Sequence, residues 1–177
     1  FDKSSGKTAA NIINSYTKDE LRKIFVMYWE EPSSNKITTK IIERRKKKKF
    51  ENTKELSELI WEVNRNQKSK SRIFQALRIE VNQELENIEH SLNDAIKLLE
   101  KNGKIFVISF HSLEDRITKQ IFKRETRDCI CSDLICSCNH KKTLQLLTKK
   151  PILPTHEEIK NKKRSRSAKA RTAKKIS

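Results

Sequence analysis

The sequence has little glycine, one methionine and no long apolar run. Gly6 and Gly103 are its glycines, Met27 is its methionine, and residue 1 is phenylalanine. This composition is unusual for an intact chain, so we expect a fragment of a longer protein. No stretch approaches the roughly 20 apolar residues that a membrane span requires, and no charged-then-apolar leader is present. These absences argue against membrane insertion and secretion, and we expect a cytoplasmic protein.

The sequence is rich in charge instead, and the charge is mostly positive. Of 177 residues, 34% are hydrophobic and 36% charged, with a net charge of +17. The length allows one full core or two small ones. Basic residues cluster at 44–49 and at 160–177. Such a surplus binds a polyanion through phosphate contacts and counterion release, so nucleic acid is the first partner to consider. The alternative is a basic tail or a solubilising surface.

Four short helices are predicted in the first part of the chain. Thr8 can cap the first, and Thr17 with Glu20 forms a capping box for the second. A third is expected from Lys36 to about Lys49, and a fourth opens near Asn52. The apolar positions at helical spacing are Leu21, Ile24, Phe25, Tyr28, Ile37, Ile41, Ile42, Leu56, Leu59, Ile60 and Val63.

A polar and basic stretch follows these helices. Residues Asn64 to Ser71 show no apolar pattern, which predicts a surface loop. We therefore expect a domain boundary here, with a helical domain at 1–70 and a second domain at 71–177.

The third helix carries the basic run Arg44, Arg45, Lys46, Lys47, Lys48 and Lys49 at its C-terminal end. The run is either a phosphate-binding patch or a solvated end that complements the helix dipole. We favour the patch, with Arg44, Arg45 and Lys46 as substrate-binding residues, because six like charges exceed what a dipole requires.

The second domain begins with one long amphipathic helix in the sequence pattern. Its apolar residues recur at steps of four and three, at Ile73, Leu77, Val81, Leu85, Ile88, Leu92, Ile96 and Leu99. The side from Glu80 to Glu100 is acidic and is expected to face outward. Asn102-Gly103 ends the helix through a residue suited to positive φ. The apolar run from Ile105 to Phe110 then predicts a buried parallel strand, hence an α/β fold.

Polar groups follow this strand at once. Ser112 with Asp115 matches a capping box for the next helix. In open α/β sheets, ligands occupy the crevice beyond the carboxyl ends of the strands, where Ser109, Phe110 and His111 must lie. We favour a binding or catalytic role for His111 over a structural one. No Gly-x-Ser-x-Gly elbow is present, which argues against a serine hydrolase.

Four cysteines stand close together at Cys129, Cys131, Cys136 and Cys138, with His140 behind them. Four thiols could surround one tetrahedral zinc, although the usual spacing leaves two residues between paired ligands. The alternative is a reduced, cysteine-rich hairpin loop, because disulfides are rare in the cytosol. No metal ligand is assigned at this point.

The end of the chain predicts three further elements. Leu144 to Thr148 is typical of a strand, and Thr155 with Glu158 opens a short helix. Small and basic residues alternate from Ser167 to Ala173, which predicts an edge strand.

Three ordered blocks of sequence carry a resemblance. They are IFQALRIEVNQEL at 73–85, VISFHSLEDRI at 107–117 and RSRSAK at 164–169. Together they resemble the MraW/RsmH family of small-subunit ribosomal RNA cytosine methyltransferases. Weaker similarity upstream, as at Ala9-Ala10, extends the likeness over nearly the whole chain.

The resemblance implies an enzyme that uses S-adenosylmethionine to methylate the exocyclic amine of a cytosine in the decoding region. Its fold would be a Rossmann-like sheet interrupted by a helical insertion. Residues 1–70 resemble the insertion, and 71–177 resemble the second half of the sheet. The family's cofactor-binding loop and acidic ligands would lie upstream, so the fragment alone is expected to be inactive. Ser69-Lys70-Ser71 and Lys101-Asn102-Gly103 depart from the family's pattern.

The same resemblance guides the choice of site residues. We expect His111 and Ser109 to act in catalysis and Phe110 to stack on the target base. Gln75, Arg78 and Asn82 either contact substrate or tie the long helix to the loop after the strand. The expected partner is small-subunit ribosomal RNA or the small subunit itself, and a homodimer is left open. The alternative function is a non-catalytic RNA-binding or ribosome-associated protein.

Overall fold

The computed structural model describes residues 7–29, 31–131 and 137–176. Its elements are α1 (Ala9–Ser15), α2 (Lys18–Trp29), α3 (Ser34–Lys47), α4 (Thr53–Asn64), α5 (Gln67–Asn82), α6 (Glu84–Leu98), β1 (Lys104–Ser109), α7 (Ser112–Glu125), β2 (Leu144–Leu146), α8 (His156–Asn161), a 3-10 turn (Lys163–Ser167) and β3 (Lys169–Lys175). The chain divides into two compact units, Phe1–Glu84 and Leu85–Ser177. No helix in the described ranges combines the length and apolarity needed to cross a membrane.

The first unit is helical, and its helices begin where the sequence predicts. The side-chain oxygen of Thr8 accepts a hydrogen bond from the Asn11 amide at the start of α1. Thr17 and Glu20 make the reciprocal capping box ahead of α2. At α4 the Asn52 side chain accepts from the Glu55 amide. These local caps satisfy backbone donors that a helix N-terminus otherwise leaves unpaired.

Helix α5 lies at the centre of the first unit, where it packs against α1, α2 and α4. The core consists of apolar side chains from all five helices, and its most buried members are Ile12, Leu21, Phe25, Ile37, Ile41, Ile60, Ile73 and Leu77. The helical periodicity of these residues explains the arrangement, since each helix turns one apolar stripe inward.

The predicted loop at Asn64–Ser71 is wrong, because α5 begins at Gln67 with Asn66 as its N-cap. Ser69 is 1% exposed. Its hydroxyl donates to Glu31 Oε1 at 3.0 Å and accepts from Asn64 Nδ2 at 2.7 Å. Tertiary partners thus make these polar residues helical. The domain boundary near residue 70 stays a prediction.

The single long helix predicted from Ile73 to Leu99 is also wrong, because it is two helices. Gln83 adopts a left-handed conformation with φ of 51° and ends α5. Glu84 then opens α6, and its carboxylate accepts from Arg78 Nη2 at 3.2 Å and Asn82 Nδ2 at 3.0 Å. These contacts stabilise the helix break at Gln83, which the apolar spacing does not reveal.

Glu80 faces inward, against the expectation that it lies on an outer acidic side. Its side chain is 16% exposed. Its carboxylate accepts hydrogen bonds from Lys7 Nζ at 2.8 Å, the Tyr16 hydroxyl at 2.6 Å and the Tyr28 hydroxyl at 2.8 Å. Burial alone would raise the pKa of Glu80, but these three donors lower it overall. Glu80 therefore joins α5 to α1 and α2.

The second unit is built on a three-stranded sheet with the order β1-β3-β2. Both pairings are antiparallel, with Val107 opposite Arg171 and Leu144 opposite Lys175. The core beneath the sheet consists of Leu92, Ile96, Ile121, Phe122, Leu144 and Ala173. Strand β2 and the Thr155–Glu158 capping box of α8 confirm the sequence-based expectations.

The strands differ from the prediction in two respects. Strand β1 exists, but its described partner is antiparallel, and Phe106 and Ile108 on one face are 58% and 53% exposed. A buried parallel strand is therefore wrong for the part of the chain that is described. Strand β3 is central rather than at the edge, because it pairs with β1 on one side and with β2 on the other.

We predict that Glu80→Gln destabilises the chain by about 1.5–3 kcal/mol at neutral pH, the usual range for a hydrogen bond to a charged group. The folded-state pKa of Glu80 is depressed. Its stabilisation is thus present above the unfolded pKa and is lost as pH falls through the folded pKa. Urea unfolding at several pH values should show the difference from the parent shrinking in acid.

The matched control for this prediction is Glu89→Gln, which removes the same charge from an exposed position on α6. It should change the free energy of unfolding by less than about 0.5 kcal/mol. Equal effects of the two substitutions would mean that net charge, and not the contacts of Glu80, governs stability.

Candidate functional site

The junction between β1 and α7 holds the three residues that the sequence selects. Ser109 is 3% exposed at the end of the strand. Phe110 follows with 56% of its surface exposed. The His111 side chain is only 7% exposed. The junction therefore directs one aromatic ring into solvent and packs the other against the protein.

His111 is the N-cap of α7, which corrects the predicted cap at Ser112 with Asp115. Its Nδ1 accepts from the Glu114 amide at 3.4 Å, and Glu114 Oε2 accepts from the His111 amide at 3.3 Å. The capping box is thus one residue earlier than predicted. Imidazole nitrogen accepts a hydrogen bond as an asparagine oxygen does, but histidine is not among the usual capping residues.

Glu114 also fixes the residue before the cap. Its Oε2 accepts from the Phe110 amide at 2.7 Å, and its Oε1 lies 3.0 Å from His111 Nε2. One carboxylate thereby holds the backbone at Phe110 and lies against the His111 ring. Sequence reasoning gave Glu114 no such role, although its position three residues after His111 would have revealed it had histidine been allowed as a cap.

Asp115 takes no part in the cap of α7 and binds β3 instead. Its Oδ1 accepts from Arg171 Nε at 2.6 Å and its Oδ2 from Arg171 Nη2 at 3.2 Å, while Lys169 Nζ lies 3.6 Å away. Burial alone would raise the pKa of Asp115, but Arg171 and then Lys169 hold it below its usual value. This two-point ion pair anchors the first turn of α7 to the sheet.

The candidates on α5 lie in the helical unit. Arg78 and Asn82 bind Glu84, as described above, and both line an apolar cleft of about 340 Å³. Its walls include Ile13, Phe50, Phe74, Leu77 and Val81. Gln75 is half-buried and is not part of this cleft. Two of the three predicted residues are therefore brought together.

The basic run at the end of α3 has two parts. Arg45 is half-buried: its Nη1 donates to the Ile13 carbonyl at 2.7 Å, and burial lowers its pKa. Arg44 Nη1 donates to the Lys48 carbonyl at 3.1 Å. Lys46, Lys47 and Lys49 are exposed, so an anion would meet the lysines first.

Three of the four cysteines converge in the segment between α7 and β2. The sulfurs of Cys129, Cys131 and Cys138 all lie within 4.8 Å of one another. A backbone hydrogen bond from Ser137 lowers the pKa of the Cys131 thiol. Cys136 lies outside the described residues. These thiols are free cysteines and no disulfide joins them.

A known protein family matches the chain over nearly its whole length. The profile of the MraW methylase family matches residues 1–176, and the chain belongs to that family. The resemblance noted in the sequence is thereby confirmed.

Curated relatives agree with the family match. The chain is 50% identical over 182 residues to ribosomal RNA small subunit methyltransferase H of Caldicellulosiruptor saccharolyticus, covering 99% of this chain and 59% of the relative. The proteins of the same name from Carboxydothermus hydrogenoformans and Clostridioides difficile are 44% and 43% identical, over 100% and 96% of this chain and 59% and 57% of theirs. The chain thus spans less than two thirds of these relatives.

We predict that Asp115 and Arg171 are energetically coupled. A double-mutant cycle of Asp115→Asn and Arg171→Gln, measured by chemical unfolding, should give a coupling energy of about 1–3 kcal/mol, because each substitution removes one side of a two-point charged contact.

Lys169 provides the internal control for this cycle. It lies farther from Asp115 and its side chain is 41% exposed. The cycle of Asp115→Asn with Lys169→Gln should therefore give less than about 1 kcal/mol. If the Lys169 cycle gave the larger value, Arg171 would not be the anchor of α7.

Proposed function

We propose that this chain is part of an S-adenosylmethionine-dependent methyltransferase that acts on the exocyclic amine of a cytosine in small-subunit ribosomal RNA. The observation that carries the proposal is the family match over residues 1–176. The printed names of the relatives support ribosomal RNA as substrate. A purely RNA-binding role is not favoured, since it would leave the methylase match unexplained.

The proposed enzyme contains a larger Rossmann-like sheet, with residues 1–70 as a helical insertion and 71–177 as its second half. Strand β1 supports this part of the proposal. It stands at one end of the described sheet, and Phe106 and Ile108 on one of its faces are exposed. Proteins rarely leave an apolar edge strand uncovered. Further strands and helices from the rest of the enzyme would cover it.

The residues of this chain do not fit the methyl donor by themselves. A nucleotide-bearing cofactor in such folds is held by a glycine-rich turn after a strand. Gly103 instead precedes β1 in a tight turn, where a Cβ atom would approach the Glu100 carbonyl to 2.9 Å. We therefore assign the donor's binding site to residues outside this chain and give no residue here a step on the donor.

Three residues of the junction would meet the target base. The exposed ring of Phe110 offers a stacking surface, and the capping box around it holds its backbone before RNA arrives. His111, oriented by Glu114, would accept or relay the proton of the cytosine amine. Ser109 would contribute a hydroxyl at the floor of the same junction.

The remaining contacts are proposed for the helical unit. Arg78 and Asn82 at the cleft would position RNA together with Gln75, and the exposed Lys46 would bind phosphate near Arg44 and Arg45. The proposed partner is the small subunit or its RNA in the cytoplasm. A homodimer remains part of the proposal without a residue assigned to it.

We predict that Phe110→Ala lowers kcat/KM for RNA roughly 5- to 150-fold, since stacking of a base on an aromatic ring is worth about 1–3 kcal/mol. Methyl transfer from labelled donor to small subunits, using protein expressed from the full coding sequence, measures the effect. Leu98→Ala is the control, because Leu98 is an apolar residue that is 83% exposed at the end of α6, outside the junction. If both variants lost activity equally, apolar packing rather than stacking would explain the loss.

We predict that His111→Asn separates the two roles of His111. Asparagine is a strong N-cap, so the melting temperature of the protein should be kept. The substitution removes the second ring nitrogen. If His111 handles a proton, kcat at saturating donor and RNA should fall about 100-fold, and the acid limb of the pH–rate profile should change.

His111→Ala is the companion variant, because it removes the cap as well. It should lower both activity and melting temperature. Full activity of His111→Asn would assign His111 to capping alone and remove it from the catalytic proposal.

A further inference from the structure

The segment between α7 and β2 is held closed at its base. The Thr143 amide donates to the Glu125 carbonyl at 2.9 Å, and the Thr143 hydroxyl donates to Glu125 Oε2 at 2.6 Å. His140 Nε2 also lies 3.1 Å from the Arg124 carbonyl in the last turn of α7. The two sides of the segment therefore run next to each other.

This base brings Cys129 and Cys138 together on opposite sides of the segment. Their sulfurs are 3.8 Å apart. Cys131 completes the group, and its amide donates to Cys129 Sγ at 3.4 Å. All three sulfurs lie within 4.8 Å of one another.

The distance between the sulfurs distinguishes a disulfide from thiolates that share one zinc ion. A disulfide requires sulfurs about 2.05 Å apart. Thiolates on one tetrahedral zinc, with Zn–S bonds of about 2.3 Å, lie about 3.8 Å apart. The observed distance between Cys129 and Cys138 is 3.8 Å, which matches the zinc geometry.

We propose that Cys129, Cys131 and Cys138 bind one zinc ion, which closes the segment between α7 and β2. The site is structural. None of its three cysteines belongs to the β1–α7 junction, to which the catalytic step is assigned. These three sulfurs leave one position of the tetrahedron for a further ligand, and the substitutions below test whether that ligand is a thiol or water.

The chemistry of the segment suits a zinc–thiolate site. Binding replaces one proton on each thiol with a bond to zinc, so protons are released and affinity rises with pH. Three thiolates with Zn²⁺ leave one negative charge, and Arg127 and Lys141 lie nearby in the sequence to compensate it. Few apolar side chains are available in this segment to order it without a metal.

The ion would also fix the start of β2. Leu144 is 1% exposed in the core of the second unit and follows Thr143 directly. A metal that closes the segment limits the conformations of the unfolded chain and holds this strand next to β3. Zinc is therefore expected to stabilise the second unit without contacting substrate.

The test is the metal content of protein expressed from its full coding sequence and purified under reducing conditions without chelator. Elemental mass spectrometry should find about one zinc per chain. Replacement by Co²⁺ should give thiolate-to-cobalt charge-transfer absorption in the near ultraviolet and the visible bands of tetrahedral Co²⁺. Chelation should expose the segment between α7 and β2 to limited proteolysis.

Single substitutions assign the ligands. Cys129→Ser, Cys131→Ser and Cys138→Ser should each reduce zinc to below about a tenth of an equivalent. Ser137→Ala, which keeps every thiol, is the matched control and should retain the metal. Loss of zinc from Cys136→Ser would support a four-thiolate site, and retention would support three thiolates with water.

Three results would overturn the proposal. They are zinc below about a tenth of an equivalent that added Zn²⁺ does not raise, equal zinc in the triple serine variant and the parent, or a Cys129–Cys138 disulfide in freshly isolated protein. Because each readout is metal content or covalent state, these results are independent of the methyltransferase activity.

Discussion

Carboxylates placed inside a strongly basic chain hold its elements together. Glu31 accepts from Ser69, Glu80 from Lys7, Tyr16 and Tyr28, Asp115 from Arg171, and Glu125 from Thr143. Each contact joins residues far apart in the sequence. A chain with 34% hydrophobic residues and a net charge of +17 has limited apolar surface to bury. Charge-assisted hydrogen bonds to these few acids supply the long-range order that a larger core would otherwise provide.

The candidate site depends on the same kind of contact. Asp115 ties the first turn of α7 to β3, while Glu114 fixes the backbone of Phe110 and the ring of His111. These two neighbouring acids therefore have different roles. Asp115 sets the position of the helix, and Glu114 sets the geometry of the junction. As a result the exposed ring of Phe110 is held in place before any ligand arrives, which reduces the ordering cost of binding.

Glu125 connects the end of α7 to the segment between α7 and β2 that holds the cysteines. Burial would raise the pKa of Glu125, but hydrogen bonds from Thr143 and Arg124 lower it, so the carboxylate is charged at neutral pH. It thereby closes the base of the segment in which Cys129 and Cys138 meet. Because this segment leads into β2, a second closure at the cysteines would further restrict the unfolded chain.

The sequence alone determined what is local. Helix caps at Thr8, Thr17 and Asn52, the strand at Ile105–Phe110 and the family blocks were predictable, because neighbouring residues specify them. Tertiary structure decided the rest. It made Asn64–Ser71 partly helical, broke the long helix at Gln83, chose His111 over Ser112 as the cap and placed β3 in the centre. Two of these outcomes depend on partners distant in the sequence, Glu31 for Ser69 and Arg171 for Asp115, and no local pattern encodes those partners.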